Sequence, residues 1–294
     1  MVKKAIKSAA VDAYVAHASV KASATAAAVQ SAYKIEIRFL GGLTATQKNA
    51  FKKAADRWTK VIVGDLPPVM VGGVLIDDLL IEAQGVAIDG PGKILGQAGP
   101  TTLRPAGMGA NAFLPAKGLM SFDTADLAKM QANGTLVDVI THEMGHVIGI
   151  GTIWGKKALL VGAGSANPTF KGSNAKREYG VLRGTGPAAV PVENIGGPGT
   201  QDSHWRESVF QNELMSGFVA AANNPLSRLT VASLQDMGYV VDMSAAEPYK
   251  LPDLHAMAEG GLLRAAHDEE QAHALPIFSP KVLPDSAMVV GQGG

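Results

Sequence analysis

The chain has 294 residues, 47% hydrophobic and 18% charged, enough apolar mass for a sizeable core and too little charge for global disorder. Lys+Arg and Asp+Glu both number 26, so no basic surplus favours nucleic acid or an anionic membrane surface. There is no cysteine, which removes disulfides, thiolate metal ligands and a cysteine nucleophile; nor is there a run of about 20 apolar residues to span a bilayer.

Residues 1–32 are rich in Ala and Lys and are expected to form a loosely helical leader, mobile or partner-binding. Lys7, Asp12, His17 and Lys21 interrupt any apolar stretch there, so the segment does not read as a secretory signal. "YKIEIRFL" then alternates: Tyr33, Ile35, Ile37 and Phe39 face one way, Lys34, Glu36 and Arg38 the other. That is a strand with one buried face, ended by Gly41-Gly42. In "TATQKNAFKKAADRWTKVI", Thr44 and Gln47 make a capping-box pattern. Ala50, Phe51, Ala54, Trp58, Val61 and Ile62 share one helical face, so an amphipathic helix packs on the sheet.

"VLIDDLLIEAQGVAID" predicts more strand, "DGPGKILGQAGPT" a Gly/Pro-rich loop, and "GLMSFDTADLAKM" a strand leading into a short helix. Asn133-Gly134 is a turn, and Thr135 with Asp138 marks a helix start. That helix carries "VDVITHEMGHVIG" and stops at Gly149. From Gly149 to about Leu226, Gly, Pro, Ser and Asn recur with weak periodicity, so a largely irregular lobe is expected. "LSRLTVASLQDMG" is a last clear helix, with Ser227 as cap and Gly238 as stop. The tail after Pro252 holds His255, His267 and His273 without a convincing period, which reads as a solvated segment.

His142 and His146 are four residues apart, so a helix turns both imidazoles towards one point. Glu143, beside the first, is placed to take a proton from water as it attacks a carbonyl and to pass it to the leaving amine. Fewer than about one chain in a hundred of this composition would carry H-E-x-x-H by chance. A catalytic zinc needs a third protein ligand. Six residues after His146 stands Thr152, a poor ligand, and no helix with a suitable carboxylate follows promptly. The candidates are His17, His204, His255, His267, His273 and the carboxylates. Gly149 after the second His suits the pattern in which a distant His is the third ligand and a methionine-bearing turn lies beneath the metal. "DSHWRESVFQNELMSGF" offers both in order, His204 and then Met215.

HEMGHVIG, a long insertion, SHW and ELMSG together resemble the leishmanolysin-type metzincin peptidases, and "LTVASLQDMGYVV" resembles the family segment after the methionine turn. The resemblance runs from about Tyr33 to Pro252. It implies that His142, His146 and His204 bind zinc, that Glu143 is the general base and acid, and that Met215 forms the floor under the metal. It implies an α+β metzincin-type zincin fold: an N-terminal lobe with a twisted mixed sheet and two helices, a largely irregular C-terminal lobe, and the active-site cleft between them. The boundaries expected are 1–32 leader, 33–150 N-terminal lobe, 151–252 C-terminal lobe with the insertion, and 253–294 tail.

The implied activity is endopeptidase hydrolysis of extended polypeptides, outside the cell or at its surface; alternatives are a zinc hydrolase of a non-peptide amide, or a non-catalytic binding or adhesion module. With no cysteine, the chain looks like a bacterial-type relative and cannot use a cysteine switch. Phe218 after the methionine turn offers no phenol ligand. "DGPGKI" and "SFDTAD" also resemble the calcium loop of matrix metalloproteinases, which nominates the side chains of Asp89, Asp123 and Asp126 and the carbonyls of Gly90, Gly92 and Ile94. "ILGQAG" suggests an edge strand able to pair with an extended peptide.

Overall fold

The alternation of Tyr33 to Phe39 becomes one strand of a mixed sheet, with Tyr33, Ile35 and Ile37 fully buried on its inner face. A computed structural model describes residues 11–19, 32–88, 90, 96–217, 222–253 and 279–289. In chain order the elements begin β1 (Ala13–His17), β2 (Lys34–Gly41), α1 (Ala45–Val61), β3 (Val69–Val71), β4 (Val74–Ile76), β5 (Leu79–Val86) and β6 (Gly96–Leu103). Next come β7 (Pro115–Asp123), α2 (Thr124–Asn133), α3 (Leu136–Ile148), β8 (Leu160–Val161), β9 (Thr169–Phe170) and α4 (Ser173–Arg183). The series closes with β10 (Val190–Pro191), α5 (Glu207–Phe210), α6 (Arg228–Met237) and β11 (Lys281–Val282).

The main sheet has the order β1-β2-β5-β7-β6-β11. β2, β5 and β7 run parallel, β1 and β6 are antiparallel to their neighbours, and β11 is parallel to β6. The fold is therefore α+β with a mixed sheet. α1 forms where the capping box predicts it: Thr44 N–H donates to Gln47 Oε1 at 2.8 Å and Gln47 N–H to Thr44 Oγ1 at 3.3 Å. Its apolar face, Ala50, Phe51, Ala54 and Trp58, is buried against the sheet and α3. Trp58 fixes α1 to α3 by donating Nε1–H to the Thr141 carbonyl at 2.9 Å. α3 is buried on nearly every side, so it is the central helix rather than a surface one. No helix among the described residues is long and apolar enough to cross a membrane.

Several expectations change. The leader is not simply helical: Ala13–His17 is an extended strand paired antiparallel with β2, and Tyr14 donates to Asp56 at 2.7 Å. Three helices lie between 33 and 150 rather than the two the resemblance implies, since the short helix expected in "GLMSFDTADLAKM" forms as α2: Asp123 Oδ1 accepts from Ala125 N–H at 2.8 Å, and Gly134 ends the helix at φ 81°. The stretch from Gly149 to Leu226 is more ordered than its composition suggests, with α4, α5 and the small sheet β10-β9-β8. The tail is not wholly apart from the fold, since β11 joins the main sheet. Asp138 does not cap α3; no side chain caps that end, and Asp138 instead receives Arg57 Nη1 at 3.2 Å and the amides of Asn223 and Asn224.

Candidate metal centre

α3 ends because Gly149 takes the left-handed conformation at φ 118°, its N–H closing on the carbonyls of Gly145 and His146. Any side chain there would strike Ile153, since a Cβ on Gly149 would lie 2.8 Å from Ile153 Cδ1. Thr152, the residue that occupies the position of a compact third ligand, instead donates its hydroxyl to the His146 carbonyl at 2.8 Å. Tyr239 likewise donates to the Ile148 carbonyl at 2.8 Å. The last turn of the helix is thus held by side chains from downstream, which fixes the height of His146.

From this turn the chain leaves for the insertion and returns at Ser203-His204-Trp205. The return is anchored by aromatics. Trp205 is fully buried, stacks on Trp154 with ring centroids 4.8 Å apart, and meets Phe170 edge-on at 5.5 Å. Backbone pairing adds to this: Glu193 N–H donates to the His204 carbonyl and Trp205 N–H to the Met215 carbonyl, both at 2.9 Å. Gly151 allows the two arms to touch. It sits at φ +74°, and a Cβ there would lie 2.0 Å from the Ser203 carbonyl oxygen.

The result is a fully buried triad of His142, His146 and His204. Their Nε2 atoms lie 3.0 Å (His142–His146), 3.0 Å (His142–His204) and 2.9 Å (His146–His204) apart. Each Nδ1 is bound on the far side of its ring: His142 to the Leu214 carbonyl at 2.7 Å, His146 to the Ile150 carbonyl at 2.9 Å, His204 to the Thr200 carbonyl at 2.9 Å. A carbonyl only accepts, so each Nδ1 carries the proton and each Nε2 presents a lone pair. Three inward lone pairs are the donor set a cation stabilises, and the backbone carbonyls play the orienting part usual behind metal-binding imidazoles. The Nε2 separations are close to the about 3.3 Å expected between donors of a tetrahedral site with about 2.0–2.1 Å zinc–nitrogen bonds. The triad could therefore hold a metal ion. Glu143, on the same helix turn, is 2% exposed.

Met215 sits under α3. A Cβ on Gly145, between the two helix histidines, would lie 2.7 Å from Met215 Sδ. The glycine leaves room for the thioether. The methionine turn also carries Leu214, whose carbonyl orients His142. The turn is held by Glu213, a buried carboxyl that sequence reasoning missed. It accepts from Met215 N–H at 2.6 Å, Ser227 Oγ at 2.6 Å and Thr230 Oγ1 at 2.6 Å. Thr230 in turn accepts Trp205 Nε1–H at 2.8 Å. Burial pushes the Glu213 carboxyl above its ordinary range, against the hydrogen bonds that lower it. Glu213→Ala would strand this set of buried donors, and a loss of about 3 kcal/mol in urea-measured stability is expected. Unchanged stability would show that the turn holds without it.

Of the residues nominated for calcium, Asp89, Gly92 and Ile94 lie outside the described residues, as does Phe218. Asp123 works as a backbone anchor: Ile88 N–H at 2.7 Å, Ala125 N–H at 2.8 Å and Gly90 N–H at 3.4 Å all point at its carboxylate. The Ile88 amide chiefly, with the others, holds its carboxyl below the ordinary value. Asp126 is buried at the first turn of α2. Gly90 is engaged as a donor, and calcium gains no support from the described residues. Among the other histidines, His17 ends β1, and His255, His267 and His273 lie outside the described residues.

An α+β scaffold thus brings an H-E-x-x-H helix, a distant third histidine and an underlying methionine to one buried point, a donor set that could hold a metal ion. Residues 110–253 match the leishmanolysin family of peptidases, M8. The chain is 32% identical to leishmanolysin of Leishmania major over 149 residues, which is 45% of this chain and 23% of that protein. It is 28% identical to a leishmanolysin homolog of Crithidia fasciculata over 148 residues, 46% of this chain and 22% of that one. A leishmanolysin-like peptidase of Caenorhabditis elegans matches at 39% over 66 residues, 22% of this chain and 9% of the relative. The matched stretch thus spans less than a quarter of these relatives' own length. Over these residues the chain is similar to leishmanolysins.

Proposed function

We propose that this protein is a zinc-dependent endopeptidase of metzincin type that hydrolyses peptide bonds in extended polypeptides. The observation that carries the reading is the convergence of three Nε2 atoms within 3.0 Å of one another, each ring turned inward by a carbonyl on its Nδ1. His142, His146 and His204 are the zinc ligands in this reading, and Met215 is the floor beneath them. Zinc bound there would polarise the scissile carbonyl and make water a stronger acid. Glu143 takes the proton of the attacking water and delivers it to the leaving amine. Its burial keeps bulk water from competing for that proton.

The substrate is proposed to lie extended against β6, whose backbone between Gly96 and Thr101 pairs with β7 alone among the described residues. The cleft would lie between the 33–150 lobe and the 151–252 lobe. An extracellular or cell-surface setting belongs to the same proposal and rests on the family resemblance.

The direct test is the zinc content of the purified chain together with its caseinolytic activity, with and without orthophenanthroline. About one zinc per chain and hydrolysis abolished by the chelator are expected for a single three-histidine site. Metal-free protein that still digests casein would overturn the reading. His204→Ala is expected to lower zinc content as severely as His142→Ala after dialysis. Tight, stoichiometric zinc in His204→Ala would place the third ligand elsewhere.

A further inference from the structure

β6 is the last long strand of the main sheet, and part of its outer side is already taken by β11. β11 runs parallel to it, with Lys281 opposite Thr102 and Val282 opposite Leu103. Leu283 N–H then donates to the Leu103 carbonyl at 3.0 Å. Among the described residues, Gly96 to Thr101 of β6 has no strand paired on its outer side, and β6 packs along α3. Pro100 is opposite Gly118 of β7. A Cβ on Gly118 would meet Val147 Cγ1 at 2.3 Å and the Gly99 carbonyl oxygen at 3.0 Å. Val147 follows His146, so the middle of β6 packs beside the metal-binding turn of α3. β11 begins only two residues further along β6, at Thr102.

The segment around β11 has its own seat, separate from the metal centre. Leu283 and Ala287 are buried with Val69 and Ala116 in a small apolar cluster of their own. Asp285 Oδ1 accepts Gly107 N–H at 3.3 Å, and Met288 bridges to Val69. A free strand edge offers N–H and C=O groups to any extended chain, and groups already paired cannot be offered again.

We propose that β11 is a built-in stop on the substrate-binding edge. A polypeptide paired with β6 beside the metal centre can extend as far as Thr101 and no further, so β11 sets how many residues are accepted on one side of the scissile bond. This rests on the peptidase reading above and adds to it a determinant of substrate length.

The test uses the full chain. Leu283→Asp puts a charge into the small apolar cluster and releases the strand from β6. Asp285→Ala removes one surface anchor and serves if the first variant does not fold. A peptide series with one scissile bond is lengthened a residue at a time, separately at its two ends. In the unaltered chain kcat/KM is expected to stop rising sooner on one side. In Leu283→Asp the plateau on that side alone should move outward, with a gain of about tenfold for the longest peptides, the worth of one or two main-chain hydrogen bonds. The shortest peptide should be cleaved as before. Asp285→Ala should shift the same plateau by a smaller factor, about threefold. An unchanged length profile in the folded variants, or an equal gain at both ends, overturns the stop while leaving the peptidase reading intact. An unaltered chain that cleaves no peptide of any length overturns both.

Discussion

Glu143→Gln is expected to retain zinc and to lower peptide hydrolysis by about 10²–10⁴-fold, the usual size of a general acid–base contribution. The retention follows from how the triad is held. His142, His146 and His204 are oriented through their Nδ1 atoms by the carbonyls of Leu214, Ile150 and Thr200. Glutamine has nearly the same volume as glutamate, so a position that is 2% exposed on a buried helix is not repacked. What disappears is the ability to accept and return a proton. The loss should therefore fall mainly on kcat, with zinc content unchanged by elemental analysis. A variant that hydrolyses casein as fast as the unaltered chain would remove Glu143 from the chemistry. A variant that loses both zinc and activity would instead make Glu143 a structural part of the metal centre.

The parts of this arrangement that were legible in the sequence are those encoded locally. The spacing of His142 and His146, the stop at Gly149 and the Thr44–Gln47 box each need only one turn of helix to be read, and all three form. His204 and Met215 were legible only through the order of their motifs, because nothing within the segment Ser203-His204-Trp205 fixes a partner 58 residues away. The features that escaped are non-local. α4 contains a glycine and many charges, and its first turn is capped by Asp236 of α6, which accepts Asn174 N–H at 3.0 Å and Ala175 N–H at 2.9 Å. No local pattern announces a cap supplied from another helix. β1 and β11 are short, and each becomes a strand through the neighbour it pairs with, β2 and β6.

The same holds for the orienting groups behind the triad. Leu214, Ile150 and Thr200 act through backbone carbonyls, and a backbone atom leaves no signature in residue type. Asp138 shows the converse. A carboxylate three residues into a helix reads as a start signal, yet here it joins Arg57 of α1 to the Asn223-Asn224 segment that follows the methionine turn. Arg57 also pairs with Glu247 through Nε at 2.9 Å and Nη2 at 2.6 Å, and Glu247 accepts Leu226 N–H at 2.9 Å. These contacts tie α1 and α3 to the chain on either side of α6. The helix that carries His142 and His146 and the turn that carries Met215 are thereby held in one frame.

Gly151→Ala is the substitution that tests this frame most sharply. Gly151 follows Ile150, whose carbonyl orients His146, and touches Ser203, which precedes His204. One residue therefore separates the supports of two of the three imidazoles. At φ +74° an alanine is strained by an amount of order 1–3 kcal/mol if the backbone stays in place. Its Cβ would also lie 2.0 Å from the Ser203 carbonyl oxygen and 2.7 Å from the Ser203 carbonyl carbon. Those are backbone atoms, so no side-chain rotation relieves the contact; either the Ile150 carbonyl or the His204 segment must move. Displacing an orienting partner commonly weakens metal binding about 10–100-fold, and a loss of that size in competitive zinc titration is expected. Gly155→Ala is the matched control, because a Cβ there meets nothing within 4 Å, and its zinc affinity should equal that of the unaltered chain. If Gly151→Ala binds zinc as tightly as Gly155→Ala, the contact between the two arms does not position His204, and the aromatic seat of Trp205 must suffice to hold it.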